Sequence, residues 1–218
     1  MKYAQHYQLD LVCAGINRIS NKYEKILETY GLLESIEKNK ILEGIEILKK
    51  IKINFFYASW NILINFNFLK KIKLYFINKV IYEDHYFGSI LFLKAKRIMI
   101  LEYCFYNYVN SLNSITRPKE ITQSRILLDF QSWKITIERM EQDIQMPEER
   151  QIIQRYIKKF YFPMLCESYL KLDSSTQQDF KKDMREKSRY YGGLKTFLML
   201  DFPKIFFLLK RVKSLFRG

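Results

Sequence analysis

The sequence predicts a protein of two parts, an α/β domain over residues 1–118 and an α-helical region over residues 119–218. In the first part, short apolar runs of strand length alternate with apolar residues at helical spacing. After Thr116-Arg117-Pro118 the strand-like runs stop and charged residues recur at helical intervals. With 218 residues, 48% of them hydrophobic, the chain can also bury a full core.

Apolar periodicity sets the expected order of elements in the first part. Runs of apolar residues that are too short for a helix predict strands, whereas apolar residues three and four positions apart predict helices. In chain order we expect the end of a helix in the opening residues, a strand in Leu9–Ile19, a helix over Lys40–Lys50, a strand over Ala58–Ile64, a helical turn over Phe66–Lys73, an extended segment over Leu74–Tyr82, a helix over Asp84–Lys96, and strands over Ile98–Leu101 and Phe105–Val109.

The second part carries recognisable helix boundaries. Pro147 suits the first position of a helix, and Ser174 to Gln177 offer a capping box at the start of another. Pro163 is expected to kink or break the helix that contains it. The predicted helices are 121–145, 148–170, 175–190 and 194–216.

The composition of the chain excludes several classes of protein function. The net charge of +14 suggests an anionic partner, but Lys is abundant along the whole chain, so only local clusters of charge are informative. Three widely spaced cysteines and two histidines give no disulfide framework, zinc site or Ser-His-Asp triad. No signal peptide or membrane span is recognisable, and we expect a cytoplasmic protein. No nucleic-acid recognition motif accompanies the charge, so we expect no nucleic-acid partner.

The most informative stretch is a carboxylate pair, Glu83 and Asp84, between an apolar run and an amphipathic helix. Helix starts beside strand ends are where open α/β sheets bind ligands. One interpretation is that Asp84 is a catalytic base. The other is that Asp84 caps the helix that begins near His85, because Asp readily accepts the first N–H groups of a helix.

Four segments in order carry a family resemblance: Leu9-Asp10-Leu11-Val12, Ala58-Ser59-Trp60-Asn61, Tyr82 to Phe87, and Tyr106-Asn107-Tyr108 leading to Asn113-Ser114-Ile115-Thr116. Their order and spacing resemble the family 2 inverting glycosyltransferases that build bacterial capsule or lipopolysaccharide. The resemblance covers residues 1–118. It implies the acceptor side of a Rossmann-like GT-A domain, which here would be incomplete.

The resemblance implies roles for particular residues. Asp84 would be the general base that takes the proton of an acceptor hydroxyl, and Glu83 would orient the acceptor or its loop. Trp60, Asn61 and His85 would contact the substrate, a nucleotide sugar and a glycan or lipid-linked acceptor. From the residues alone, Trp60 is better explained as part of the core, because large aromatic side chains are mostly buried.

The donor side of such an enzyme is not recognisable in this sequence. The family holds Mg²⁺ or Mn²⁺ with an Asp-x-Asp motif, and no Asp-x-Asp occurs among the 218 residues. We therefore expect no cofactor bound by this chain alone and, for a truncated enzyme, weak or no activity in isolation.

The last 25 residues form a cationic amphipathic segment. Its predicted membrane contacts are Lys204, Lys210, Arg211 and Lys213, which would attract anionic lipid at the inner face of the cell membrane. A core helix would show the same apolar spacing. A non-catalytic protein that docks on a membrane or on a partner is thus the alternative to a glycosyltransferase.

Overall fold

A computed structural model describes residues 2–20, 26–30, 36–51, 58–109, 119–202 and 205. The chain divides into two compact units, Met1–Glu120 and Ile121–Gly218. The first unit is mixed α/β and the second is helical in its described part, so the predicted fold class is confirmed.

The first unit is built on a mixed sheet. Its elements are α1 (Lys2–His6), β1 (Leu11–Ile19), β2 (Ile26–Tyr30), β3 (Ile41–Leu42), α2 (Gly44–Lys50), a 3₁₀ turn (Ser59–Asn61), β4 (Ile62–Ile64), α3 (Phe66–Ile72), α4 (Glu83–Lys94) and β5 (Ile98–Val109). The strand order is β2-β1-β5-β3, with β4 also paired to β1. Only β1 and β5 run parallel; the other described pairs are antiparallel.

Several strand predictions were confirmed and others were wrong. The predicted strand at Leu9–Ile19 is β1, but the two strands predicted after Lys96 are the single strand β5, because β1 pairs with it from Ile98 to Val109. Only the last three residues of Ala58–Ile64 are extended, and β2 and β3 were not predicted. No strand forms over 74–82, where Lys79 and Tyr82 have left-handed backbones that interrupt extended structure.

Asp10 joins the starts of the two parallel strands. Its Oδ2 accepts hydrogen bonds from the backbone N–H groups of Lys96 (2.8 Å) and Arg97 (3.0 Å), which lead into β5. The guanidinium of Arg97 donates in return to the carbonyl of Tyr7 at 2.8 Å. The short connection from α4 to β5 is therefore fixed to the residues that precede β1.

Helix α4 is the central helix of the first unit. Its residues from Tyr86 to Leu93 are buried, including every residue predicted to face inward, and its last turn packs against α2. At that contact the N–H of Gly44 donates to the carbonyl of Ala95 at 3.0 Å. Packing of its last turn against α2 thus helps to fix the helix that presents the carboxylate pair.

The described part of the second unit consists of helices: α5 (Gln123–Asp143), α6 (Pro147–Tyr156), a π-helical turn (Ile157–Tyr161), α7 (Phe162–Tyr169), α8 (Ser174–Tyr191) and α9 (Leu194–Asp201). The helix predicted at 148–170 is interrupted by the π-helical turn Ile157–Tyr161, which ends two residues before Pro163, a residue that cannot donate an N–H. The cap of α8 is Asp173, one residue before the predicted Ser174, and its Oδ1 accepts from the N–H of Thr176 at 3.0 Å. A helix is predicted at 194–216, and the structure describes its first part as α9, which ends at Asp201.

Candidate active site

The carboxylate pair lies in the first turn of α4. Glu83 and Asp84 are its first two residues, and the position before them is occupied by Tyr82, whose backbone is left-handed (φ 64°, ψ 29°). Asp84 is therefore not the N-cap residue of α4, although its carboxylate accepts from the first-turn N–H groups of Asp84 and His85, as the capping interpretation expected. Asp84 is the second residue of α4, so its carboxylate lies in the first turn of the helix and not in the preceding loop.

Burial perturbs the protonation of Asp84. Desolvation of the half-buried side chain is the larger cause, and the charge of Glu83 is the next; together they raise the pKa of Asp84 from 3.8 to about 6. Hydrogen bonds from the backbone N–H groups of Asp84 and His85 act in the opposite direction, but they are outweighed. The result is a carboxylate that is mostly ionised at pH 7 and holds a proton more tightly than an ordinary aspartate.

The third residue of this turn, His85, is half-buried. Its ring lies edge-on to that of Tyr82, with the centroids 6.4 Å apart. Burial lowers the pKa of His85 to about 4, so the imidazole is neutral at physiological pH. His85 could therefore contact a substrate through hydrogen bonds, but it brings no positive charge to a phosphate.

The predicted substrate-contact residues Trp60 and Asn61 lie on the 3₁₀ turn Ser59–Asn61. The ring of Trp60 stacks on Tyr106 with centroids 4.3 Å apart and on Tyr108 at 5.6 Å, and all three rings are half-buried. Asn61 is 1% exposed, and its Oδ1 has no hydrogen-bond partner in the described part of the protein. An unpaired buried amide oxygen is costly.

This turn contacts α4, β1 and β5, so the structure brings its two residues next to the helix that carries Glu83, Asp84 and His85. Tyr106 and Tyr108 were not predicted as site residues, although they belong to one of the segments that carry the family resemblance. The signal that could have found them is their i, i+2 spacing, which places both on the same face of a strand.

Other predicted positions lie outside the described residues. These are the segment Asn113–Thr116 and the membrane contacts Lys204, Lys210, Arg211 and Lys213. No helix in the part of the chain that the structure describes is both long and apolar enough to span a bilayer.

In the part of the chain that the structure describes, no set of residues fits the divalent cation implied by the family resemblance. The sequence lacks Asp-x-Asp, and the described ranges contain no group of three or more His, Cys, Asp or Glu residues that could hold a metal ion. Glu83 and Asp84 are adjacent, but the pKa of Asp84 is raised, which suits proton transfer.

Comparisons with known proteins bear on the fold. No family model matches the sequence, and no curated protein is similar to it. Among solved structures, the fold is similar to Staphylococcus aureus TarS residues 1–349 (14% identity, TM-score 0.51, 91% of this chain and 50% of that chain). The complex of that fragment with UDP (14%, 0.52, 94% and 56%) and a further TarS structure (13%, 0.50, 94% and 34%) are also similar.

This chain spans about half the length of the TarS fragment it matches. At 13–14% sequence identity, the similarity to TarS shows a shared fold. The chain has a glycosyltransferase-like fold.

Proposed function

We propose that this chain is the acceptor side of a family 2 inverting glycosyltransferase of cell-surface polysaccharide synthesis, acting at the inner face of the cell membrane. The observation that carries the proposal is the position and protonation of Asp84, a half-buried carboxylate with a raised pKa in the first turn of α4. The similarity of the fold to TarS and the presence of UDP in one TarS structure support a nucleotide sugar as the donor.

In the proposed reaction, the carboxylate of Asp84 accepts the proton of an acceptor hydroxyl as its oxygen attacks the anomeric carbon of the donor sugar. The new carbon–oxygen bond forms on the face opposite the leaving nucleoside diphosphate, so the configuration inverts. A positioned base contributes roughly 10²–10⁴-fold to such a step. Glu83 would orient the acceptor, while Trp60 and Asn61 would contact its ring and hydroxyl groups.

The donor side is proposed to be supplied by residues outside this sequence. The lack of Asp-x-Asp and the half-length match to the TarS fragment support this proposal. Stabilisation of the departing diphosphate is a major part of transfer catalysis, and therefore the isolated chain should be weak or inactive.

The test measures release of nucleoside diphosphate from a panel of nucleotide sugars with candidate glycan acceptors. We expect slow transfer by the wild-type chain and a further loss of about 10²-fold or more in Asp84→Asn. The exposed Glu102 offers a matched control, since Glu102→Gln removes a carboxylate from β5 without touching α4. Equal rates for wild type and Asp84→Asn would refute the base assignment, and a normal enzymatic rate for the wild type would refute a separate donor side.

Membrane docking is the second candidate function, favoured by the exposed apolar side chains at the end of the described chain. Phe197, Phe202 and Ile205 are 48%, 46% and 49% exposed. Residues 181–218 contain 11 Lys and Arg but three Asp and Glu, so this segment carries +8 of the net charge of +14. Apolar side chains among cations are typical of a surface that binds anionic lipid.

Sedimentation with vesicles tests the docking function. Phe197→Ser with Phe202→Ser should weaken binding to vesicles that contain anionic lipid, whereas Phe66→Ser, on an α3 side chain that is 65% exposed, should not. Equal binding by all three proteins, or equal binding to neutral vesicles, would exclude this surface as the lipid contact.

A further inference from the structure

The ends of three neighbouring strands extend beyond the buried part of the sheet. The side chains of β1 are buried up to Ile16 and half-buried after it, and those of β5 are buried up to Leu101 and half-buried or exposed after it. The neighbouring strand β2 is exposed over residues 26–29. Because these strand ends leave the core, the aromatic side chains on them remain partly accessible to a ligand.

One face of the strand ends combines an aromatic stack with an ion pair. Tyr106 and Tyr108 are two positions apart on β5 and both stack on Trp60, so the three rings share a face. Arg18 is the β1 partner of Tyr108, and Glu28 is the β2 partner of Arg18. Residues that are directly opposite each other in neighbouring strands point to the same face of a sheet, so the ion pair lies beside the rings.

The ion pair is partly exposed, and its two charges cancel. Nη1 of Arg18 lies 3.7 Å from Oε2 of Glu28, and the two side chains are 34% and 52% exposed. A guanidinium has several N–H donors and a carboxylate has several acceptor positions, so the pair has the capacity to bond a ligand as well as each other. Although the chain carries a net charge of +14, the balanced pair favours an uncharged ligand on this face over an anionic one.

A sugar has the two kinds of surface that match this face. The C–H groups of a pyranose ring form an apolar side that stacks on an aromatic ring. The hydroxyl groups around the ring both donate and accept hydrogen bonds, as a guanidinium and a carboxylate together require. Aromatic surface with a few polar groups at its margin is typical of a small-molecule site.

We propose that Tyr108, Arg18 and Glu28 form a further sugar subsite beside Trp60, and that the ligand of this face is an uncharged oligosaccharide. Trp60 stacks most closely on Tyr106, and two residues of a strand span about 7 Å, so Tyr108 lies where the next ring of a linked sugar follows. The first ring contacts Trp60, and the second contacts Tyr108 and the ion pair. That this oligosaccharide is the transfer acceptor rests on the proposed function, whereas its binding does not.

Binding of uncharged sugars tests the subsite without requiring activity. The probes are glucose, galactose and N-acetylglucosamine, each as the monosaccharide and as its linked tetrasaccharide, and NMR titration follows the indole N–H of Trp60. We expect one tetrasaccharide to bind about tenfold or more tightly than its monosaccharide, and Arg18→Gln to remove this difference, because hydrogen bonds to a charged group contribute about that much. The matched control is Arg139→Gln, since Arg139 forms a similar pair with Asp143 at 3.6 Å on α5. Equal affinities for every monosaccharide and tetrasaccharide, or an advantage that persists in Arg18→Gln, would overturn the proposal.

The variant Glu28→Gln separates an uncharged ligand from an anionic one. For an uncharged sugar, loss of the carboxylate acceptor should weaken tetrasaccharide binding, as Arg18→Gln does. An anionic ligand should instead bind more tightly, because Glu28 no longer balances the charge of Arg18. Stronger sedimentation of Glu28→Gln with vesicles that contain anionic lipid, together with unaltered sugar binding, would assign the face to lipid. A wild-type dimer in analytical ultracentrifugation that dissociates in Arg18→Gln would assign it to a second copy of the chain, and either result would overturn the proposal.

The subsite and the proposed function can fail separately. Tetrasaccharide binding that depends on Arg18 and Glu28, with transfer rates that are equal in wild type and Asp84→Asn, would uphold the subsite and contradict the base assignment. Transfer that depends on Asp84 but has the same KM for monosaccharide and tetrasaccharide acceptors would uphold the proposed function and overturn the subsite.

Discussion

The charge of Glu83 acts on Asp84 within the same helical turn and is, after burial, the next cause of its raised pKa. The two residues are adjacent at the start of α4, where the helix dipole favours negative charge. The raised pKa shows that burial and the neighbouring charge together outweigh the favourable helix start. Such a balance is typical of residues that exchange protons during function.

Replacement of Asp84 by Asn should stabilise the protein at neutral pH. Because the folded state holds the Asp84 proton more tightly than the unfolded state, the wild type is favoured most below pH 4 and loses this stability as pH rises through 6. A rise of the pKa from 3.8 to about 6 corresponds to roughly 3 kcal/mol, which solvent around a half-buried group reduces to about 1–2 kcal/mol. Urea unfolding at pH 8 should show Asp84→Asn to be more stable by that amount, with the difference lost near pH 4. A less stable variant at pH 8 would contradict the raised pKa.

Neutralisation of the neighbour should lower the pKa of Asp84. In Glu83→Gln the repulsion disappears while burial, the larger cause, remains. We therefore expect the pKa to fall from about 6 while burial continues to raise it. Side-chain carboxyl NMR measures it, with Glu102→Gln as a variant that should leave Asp84 unchanged. An unaltered pKa in Glu83→Gln would mean that the two carboxylates do not interact.

The stacked rings of Trp60 and Tyr106 should contribute jointly to stability. At a centroid distance of 4.3 Å, a double-mutant cycle of Trp60→Ala and Tyr106→Ala should give a coupling of about 0.5–1.5 kcal/mol in the free energy of unfolding. Additive effects would show that the stack does not form in solution. If the stack also holds a sugar ring, acceptor binding should protect it from thermal unfolding.

A side chain at Gly44 should disrupt the contact between α2 and α4. A Cβ atom there would lie 1.6 Å from the carbonyl oxygen of Phe92, so the two helices would have to separate. Overpacking of this kind costs about 1–3 kcal/mol or more, and chemical unfolding of Gly44→Ala should report it. Gly193→Ala is the matched control, because nothing lies within 4 Å of the added atom. Equal stability of the two variants would contradict the close approach.

Loss of the Asp10 carboxylate should loosen the junction between the two parallel strands. Asp10→Ala leaves the N–H groups of Lys96 and Arg97 without their acceptor, although water reaches both exposed residues. We expect a loss of about 1–2 kcal/mol in urea unfolding and a smaller loss in Asp10→Asn, which keeps one side-chain oxygen. Faster amide hydrogen exchange at Lys96 and Arg97 should accompany the loss, and unchanged exchange in Asp10→Ala would contradict these bonds.

Local sequence signals identified much of the secondary structure. Apolar spacing predicted α4 and its buried residues, and Pro147 predicted the start of α6. Strand predictions failed where pairing with another strand determines whether a segment is extended. β5 is continuous because β1 lies beside it, and the two-residue β3 exists only because it pairs with β5. The hydrophobic pattern of β5 or of β3 by itself does not indicate these pairings.

The candidate site shows the same division. The sequence by itself determined that a carboxylate pair stands at the start of an apolar helix, because helical periodicity and residue type are local properties. Only the tertiary structure decided that Tyr82 precedes the helix with a left-handed backbone, that Asp84 is half-buried with a raised pKa, and that the turn bearing Trp60 packs beside the helix. Burial, solvation and distance depend on chain segments far apart in sequence, so no local pattern could fix them.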